Sequence, residues 1–210
     1  MSSKSVLILL SHGTEEIEFA TVYDVCVRAG LSPKSVFVGS SSQSAEDPHG
    51  VSSSTPEAPY AATLSRGLKV LPDLKLPDLA GGKKAFEFDA VVIPGGAEGA
   101  KTISENGDVQ SLIAKYYADG KVVAAICAGV LAVKTSGIAK DSKLTSHPSV
   151  KDELSKDYRY SEDRIVISDN LITSRGPGTS LLFALSLVEK LLGPEKREEI
   201  SGPMILSDKL

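Results

Sequence analysis

Short aliphatic runs alternate with longer amphipathic segments along most of this 210-residue chain. This alternation limits the fold more than any other feature, because a run of about five aliphatic residues can form a buried strand but is too short for a helix. We predict strands at residues 6–10, 36–38, 90–93, 122–126 and 171–173, and weaker ones at 68–71, 143–145 and 164–167. Helices are predicted at 15–29, 107–118, 128–136, 150–155, 177–192 and 194–200. The pattern indicates an α/β fold in which a doubly wound parallel sheet is sandwiched by helices.

One segment departs from this alternation. Residues 40–67 are rich in Ser and contain three prolines but few large apolar residues. We predict an inserted loop there, either a lid over a site or an exposed excursion. The chain length is that of one domain, so residues 1–210 are predicted to form a single domain.

Charge and hydropathy exclude several classes of protein. The formal net charge of −4 has the wrong sign for broad attraction to phosphate backbones or anionic lipid, so neither nucleic acid nor a membrane is an expected partner. The longest nearly unbroken apolar stretch, residues 122–133, is too short to cross a bilayer. Two cysteines without a CxxC spacing and no secretory leader pattern favour a reducing compartment. The expected location is the cytoplasm, with the nucleus as a second compartment.

Cofactor motifs are missing from the sequence. Neither the dinucleotide-binding G-x-G-x-x-G pattern nor the phosphate-loop G-x-x-x-x-G-K-[ST] pattern occurs. The three histidines, His12, His49 and His147, are too scattered to indicate a metal site. We therefore expect no cofactor and no metal.

Cys127 lies at the junction between a predicted strand and the helix that follows it. A nucleophile on such a sharp turn needs small neighbours two residues away on either side, and Ala125 and Gly129 meet that need. Free N–H groups at a helix start favour the thiolate. The alternative is a small buried core cysteine, which is the better interpretation of Cys26 on the apolar face of the first helix.

A reactive thiol also needs a group that takes and returns its proton. In the first helix Glu18 shares a face with apolar Val22 and Val25, so it is predicted to point inward and to have a raised pKa. A partly exposed surface acid is the alternative. His147 and His12 both follow predicted strands, and spacing does not decide between them.

Five ordered segments resemble the ThiJ/PfpI superfamily, in particular its glutathione-independent glyoxalase and deglycase members. They are Glu15-Glu16-Ile17-Glu18, Val92-Ile93-Pro94-Gly95-Gly96, Ala124-Ala125-Ile126-Cys127-Ala128-Gly129, Thr145-Ser146-His147-Pro148 and Thr173-Ser174-Arg175-Gly176-Pro177-Gly178-Thr179. Similarity runs from about residue 5 to residue 205. The sequence departs from the similar animal members at Leu71, Ala97 and Val130, where those carry Cys, Asn and Pro.

The resemblance implies a flavodoxin-like fold and a homodimer. It implies Cys127 as nucleophile, Glu18 as its acid and base, and His147 as the third member. Further residues match positions near the family's site: the backbone N–H groups of Gly96 and Ala128 match its oxyanion site, and Asp24, Arg28 and Arg66 match residues near its pocket. The implied reaction converts methylglyoxal or glyoxal and water to lactate or glycolate. The alternatives are protein deglycation by the same thiol, and an oxidative-stress sensor or chaperone that acts through oxidation of Cys127.

Overall fold

A seven-stranded sheet lies at the centre of the structure, in the order β10-β11-β7-β6-β1-β2-β5. The structure is a computed structural model that describes residues 3–39, 61–79 and 83–207. Six of the seven strands run parallel, and β10 pairs antiparallel with β11 at the edge. The seven sheet strands are β1 (Ser5–Leu10), β2 (Ser32–Phe37), β5 (Leu74–Lys75), β6 (Ala90–Ile93), β7 (Val122–Ile126), β10 (Ile165–Ser168) and β11 (Leu171–Ser174). Four short strands form two separate pairs, β3 (Ala62–Thr63) with β4 (Lys69–Val70) and β8 (Lys143–Leu144) with β9 (Arg159–Tyr160).

Helices cover both faces of the sheet. Alternate residues of β1 face opposite sides, so that Ile8 packs with α1, α7 and α8, whereas Leu9 packs with the other helices. Both residues are fully buried, which is why this strand reads as a continuous aliphatic run. The helices are α1 (Glu16–Arg28), α2 (Leu76–Leu79), α3 (Ala97–Glu105), α4 (Gly107–Ala118), α5 (Leu131–Thr135), α6 (Lys151–Leu154), α7 (Ser180–Leu192) and α8 (Pro194–Ser201). The predicted helix-covered α/β sheet is confirmed.

Strand β2 is longer than predicted, because it begins at Ser32 in spite of the proline that follows. The Ser32 N–H donates to the carbonyl of Lys4, so the nitrogen of Pro33 points away from β1. On that side the short β5 pairs with β2 only at Val36 and Phe37. The missing N–H of Pro33 therefore costs no hydrogen bond of the sheet.

Helix α3 is not among the predicted helices, because its start is rich in glycine, which is typical of a turn. Gly96 has a φ of 91° and ends the turn, and α3 begins at the next residue. Gly99 lies inside this helix. A larger residue would not fit there, because a Cβ would be 2.7 Å from the backbone nitrogen of Thr14. This glycine serves close packing and does not break the helix.

Other predictions need correction at the ends of elements. The helix predicted at 128–136 is a 3₁₀ turn, Cys127–Val130, followed by α5, and 3₁₀ turns also precede α6 and α7. Residues 40–60 of the predicted loop lie outside the described part of the chain. Residues 62–63, predicted as loop, form strand β3 and pair with β4. Among the described residues, no helix combines the length and the apolar character that crossing a bilayer requires.

Candidate active site

Cys127 lies at the sharp turn that joins β7 to a 3₁₀ helix. Its φ of 62° is in the left-handed region, which is uncommon for a residue with a side chain. The turn passes so close to the end of β6 that a Cβ at Gly129 would lie 2.4 Å from the carbonyl oxygen of Pro94. Glycine is therefore required at position 129, as the sequence pattern predicts. The residue Cys127 is 9% exposed.

Glu18 lies beside the thiol and is fully buried. Its side chain leaves the apolar face of α1, and Oε2 accepts a hydrogen bond of 2.7 Å from the N–H of Gly95. Oε1 has no hydrogen-bond partner among the described residues. A Cβ at Gly95 would lie 2.7 Å from Glu18 Oε2 and 3.0 Å from Cys127 Sγ. The Gly95 backbone therefore contacts both side chains, and only glycine leaves them room.

The electrostatics of this pair are those of two groups that share one proton. Burial raises the pKa of Glu18 to about 7, although hydrogen bonds with Gly95 and the Cys127 thiol act to lower it. Burial and the negative charge of Glu18 raise the pKa of the Cys127 thiol to about 12. Between these two values the pair holds one proton and one negative charge.

This result corrects the expectation that the helix start favours the thiolate. The N–H groups of Ala128 and Gly96 do hydrogen-bond to the sulfur, and they act to lower the pKa of Cys127. Removal from water and the neighbouring carboxylate outweigh them, because both disfavour a second negative charge in the same buried space.

A cavity of about 270 Å³ opens beside Cys127. Six parts of the chain contribute its walls: the starts of α1 and α3, the turns that follow β7, β8 and β11, and the β3–β4 turn, residues 64–68. The lining residues are Glu15, Ser65, Arg66, Gly96, Ala97, Cys127, Ala128, His147, Ser149 and Pro177. The space is suited to a small molecule and gives it access to the sulfur.

The β3–β4 turn is attached to the start of α1 by Glu16. Its carboxylate accepts from Ser65 Oγ at 2.6 Å and from the N–H of Arg66. Desolvation acts to raise the pKa of Glu16, but these hydrogen bonds outweigh it and the pKa lies below its ordinary value. The contact keeps Arg66 at the cavity. Sequence reasoning missed it because the partners are about 50 residues apart.

The structure brings together most of the predicted site residues. Glu18 contacts Cys127 from behind, and Gly96, Ala128, His147 and Arg66 line the cavity. Position in the structure distinguishes the two candidate histidines. His147 lines the cavity, and its backbone N–H donates to the carbonyl of Cys127 at 3.4 Å. His12 instead lines a separate cleft beside α3.

Asp24 and Arg28 do not line the cavity. They pair with each other at 2.6 Å on the exposed face of α1, because they are one turn apart and point away from the apolar face that carries Glu18. Their predicted role near the pocket stays a prediction that depends on a second copy of the chain. Sequence reasoning also missed the contacts of Gly95 and Ser149.

Cys26 is fully buried in the core beside α7, as predicted, and burial raises the pKa of its thiol to about 12. In residues 3–39, 61–79 and 83–207, no three side chains of the His, Cys, Asp or Glu type come together as a metal site would need.

Comparison with known proteins identifies the family. The model of the DJ-1/PfpI family matches residues 4–190. The chain belongs to this family. It is 37% identical over 210 residues to the Parkinson disease protein 7 homolog of Danio rerio, covering 99% of this chain and 100% of the relative. It is 35% identical over 193 residues to the glutathione-independent glyoxalase DJ-1 of Schizosaccharomyces pombe, covering 91% of this chain and 93% of the relative.

Solved structures agree with this assignment. The crystal structure of Drosophila melanogaster DJ-1beta superposes with a TM-score of 0.83 at 35% identity, covering 98% of this chain and all of that one. The resemblance drawn from the five motifs is therefore confirmed.

Proposed function

We propose that this DJ-1/PfpI protein is a glutathione-independent glyoxalase that converts methylglyoxal and glyoxal, with water, to lactate and glycolate. The observation that carries the proposal is the buried Cys127–Glu18 pair, which holds one transferable proton beside a cavity of about 270 Å³. The cavity accommodates a two- or three-carbon aldehyde. The name of the S. pombe relative supports the same activity.

The first step is addition of the thiol to the aldehyde. As Cys127 Sγ bonds to the aldehyde carbon, its proton passes through the Glu18 carboxylate to the former carbonyl oxygen, which becomes the hydroxyl of a hemithioacetal. The nucleophile does not need a low pKa for this step, because the neighbouring base removes the proton as the bond forms. The backbone N–H groups of Gly96 and Ala128, which already hydrogen-bond to the sulfur, are placed to stabilise negative charge that develops there.

The second step moves hydrogen between the two carbons. Glu18, again a carboxylate, takes the proton from the aldehyde carbon and leaves an enediolate with the negative charge on the second oxygen. The hydroxyl proton on the first oxygen passes to the second oxygen, and Glu18 returns its proton to the neighbouring carbon, so that a thioester of the hydroxy acid remains on Cys127. Water adds to the thioester carbonyl, the carbon–sulfur bond breaks, and the thiol regains its proton as the hydroxy acid leaves. The substrate is oxidised at one carbon and reduced at the other, so no external oxidant is needed.

The test is lactate formation from methylglyoxal by the purified protein, without glutathione and without added metal. Cys127→Ala should abolish turnover because the covalent intermediate cannot form. Glu18→Gln should lower kcat by at least about 100-fold, since proton transfer by a placed side chain contributes about 10² to 10⁴. Cys26→Ala is the matched control, because it removes the other thiol, which lies outside the cavity.

Full turnover by Cys127→Ala would refute the mechanism. No turnover by the wild-type protein would favour the redox-sensor function. The N–H groups of Gly96 and Ala128 at the sulfur support this second candidate, because they can also bind the oxygens of an oxidised Cys127. Mass spectrometry of the Cys127 peptide after graded peroxide tests it, and a thiol that stays unmodified would contradict it. Deglycation of proteins by the same thiol needs a separate assay, in which the release of sugar-like adducts from modified lysine is measured.

Association of two copies is part of the proposal. Ile17 and Val27 on α1 are more than half exposed, as is Leu68 on the β3–β4 turn. Burial of these apolar side chains in a homodimer would remove them from water. Sedimentation velocity of the wild type and of Ile17→Asp tests this, and a monomeric wild type would contradict it. We also propose the cytoplasm as the location.

A further inference from the structure

Ser149 holds the imidazole of His147. His147 precedes the 3₁₀ helix Pro148–Val150, and its Nδ1 accepts a hydrogen bond of 3.2 Å from the backbone N–H of Ser149. The hydroxyl of Ser149 lies 2.8 Å from the same nitrogen. Two groups of a single residue therefore contact Nδ1.

These contacts determine where the imidazole carries its proton. A backbone N–H only donates, so Nδ1 must present a lone pair to it. In a neutral imidazole one nitrogen accepts and the other carries hydrogen, and the hydrogen bond at one nitrogen selects the tautomer. His147 consequently has its hydrogen on Nε2, and the Ser149 hydroxyl acts as a second donor to Nδ1.

We propose that Ser149 is a positioning residue that fixes His147 as the Nε2–H tautomer, so that His147 donates a hydrogen bond to the substrate oxygen in the cavity. Both residues line the cavity together with Cys127. The inference rests on the proposed glyoxalase function. It deepens that function, because it assigns all proton abstraction to Glu18 and a donor role without proton loss to His147.

This division of labour follows from the charge balance of the site. The Cys127–Glu18 pair supplies one negative charge and one movable proton between about pH 7 and 12. Negative charge develops on the substrate oxygens when the thiol adds and again at the enediolate. A donor on the other side of the cavity stabilises that charge, whereas a second base there would not. An imidazole with its lone pair turned to Ser149 is such a donor.

The experiment reverses the polarity at Nδ1. Ser149→Asp replaces the donating hydroxyl by a carboxylate, whose negative charge should outweigh the remaining backbone N–H of residue 149 and draw the hydrogen to Nδ1. Ser149→Asn keeps a side chain of similar shape that can donate, and should retain the Nε2–H tautomer. Ser155→Asp places the same added charge at the end of α6, on an exposed residue outside the cavity, and serves as the charge control.

Two readouts are needed. Long-range ¹H–¹⁵N spectra of protein labelled at histidine report which ring nitrogen carries hydrogen. The sequence has only three histidines, and the signals of His147 are assigned from their loss in His147→Gln. Steady-state lactate formation gives kcat and KM separately, which distinguishes a lost donor in the transition state from lost substrate binding.

We expect the wild type to carry hydrogen on Nε2 and Ser149→Asp to carry it on Nδ1. In Ser149→Asp, kcat should fall about tenfold, which corresponds to the loss of one hydrogen bond in the transition state, and KM should change less than about twofold. Ser149→Asn should recover most of that loss, and Ser155→Asp should match the wild type. Hydrogen on Nδ1 in the wild type, or a changed tautomer with unchanged kcat, would overturn the proposal. Absence of lactate from the wild type would refute the proposed function and the donor role, while the spectra would still decide whether Ser149 sets the tautomer.

Discussion

Burial of Glu18 predicts that the protein is less stable at alkaline than at mildly acidic pH, and that Glu18→Gln removes this dependence. The pKa of Glu18 is about 7 in the folded protein, raised by burial, against an ordinary value of 4.5. Below pH 4.5 the group is protonated in both states. Between 4.5 and 7 the folded state binds a proton that the unfolded state has lost, so stability falls as pH rises, and above 7 the loss is complete.

The size of the effect follows from the two pKa values. Their difference, 7 minus 4.5, at about 1.36 kcal/mol per pH unit corresponds to about 3 kcal/mol of free energy of unfolding. About 2.5 kcal/mol of this falls between pH 5 and pH 8. The full value applies because the side chain is 0% exposed, so water does not screen it.

The assay is urea denaturation at pH 5 and pH 8, at one protein concentration and under reducing conditions. The free energy of unfolding of Glu18→Gln minus that of the wild type should be about 2.5 kcal/mol more favourable at pH 8 than at pH 5, because glutamine does not titrate. Contributions of the other groups cancel in this difference. The control is Glu105→Gln, an exposed residue at the end of α3, for which the two pH values should differ by less than about 0.5 kcal/mol. A Glu18→Gln difference that is the same at both pH values would refute the assigned burial and pKa.

Three further predictions concern single positions. Gly95→Ala should lower lactate formation at least about tenfold, because the new Cβ would lie 2.6 Å from the Cβ of Cys127. Gly107→Ala is the control, since a Cβ there meets open space, and equal activity of the two variants would contradict the packing described. Iodoacetamide at pH 8 should label Cys127 well before Cys26, because Cys127 lines the cavity whereas Cys26 is 0% exposed in the core; peptide mass spectra that show equal labelling would be evidence against this. Asn106→Ala should lower the free energy of unfolding by about 1 kcal/mol in urea, because the Asn106 side chain accepts hydrogen bonds from two N–H groups at the start of α4; an unchanged urea midpoint would show that this cap does not stabilise the helix.

Much of the fold could be predicted from local sequence. Strands β1, β6 and β7 are buried on both faces, and strands buried in this way are aliphatic at nearly every position. The ends of elements were less accurate, because Pro33 and Gly99 are usual signals of interruption. Here the nitrogen of Pro33 points away from β1 and Gly99 packs against Thr14, so neither residue interrupts its element.

The site was predicted in part for the same local reasons. A strand-to-helix junction with small flanking residues is visible in the sequence, and so is a carboxylate on the apolar face of a helix, which together indicated Cys127 and Glu18. The contacts of Gly95 were not visible, since its N–H meets a carboxylate 77 residues away. The attachment of Arg66 to Glu16 crosses a similar distance along the chain.

Sequence by itself therefore determined the buried strands at the centre of the sheet, the face of α1 that points inward and the turn that carries the candidate nucleophile, because periodicity and turn composition are local properties. Tertiary structure alone decided the protonation of the site. The helix start predicted a thiolate, but the pKa of Cys127 is raised, because the sulfur is removed from water and lies beside a buried carboxylate that comes from a distant helix. Desolvation and charge repulsion depend on what surrounds a group in space, and no pattern of neighbours along the chain contains that information.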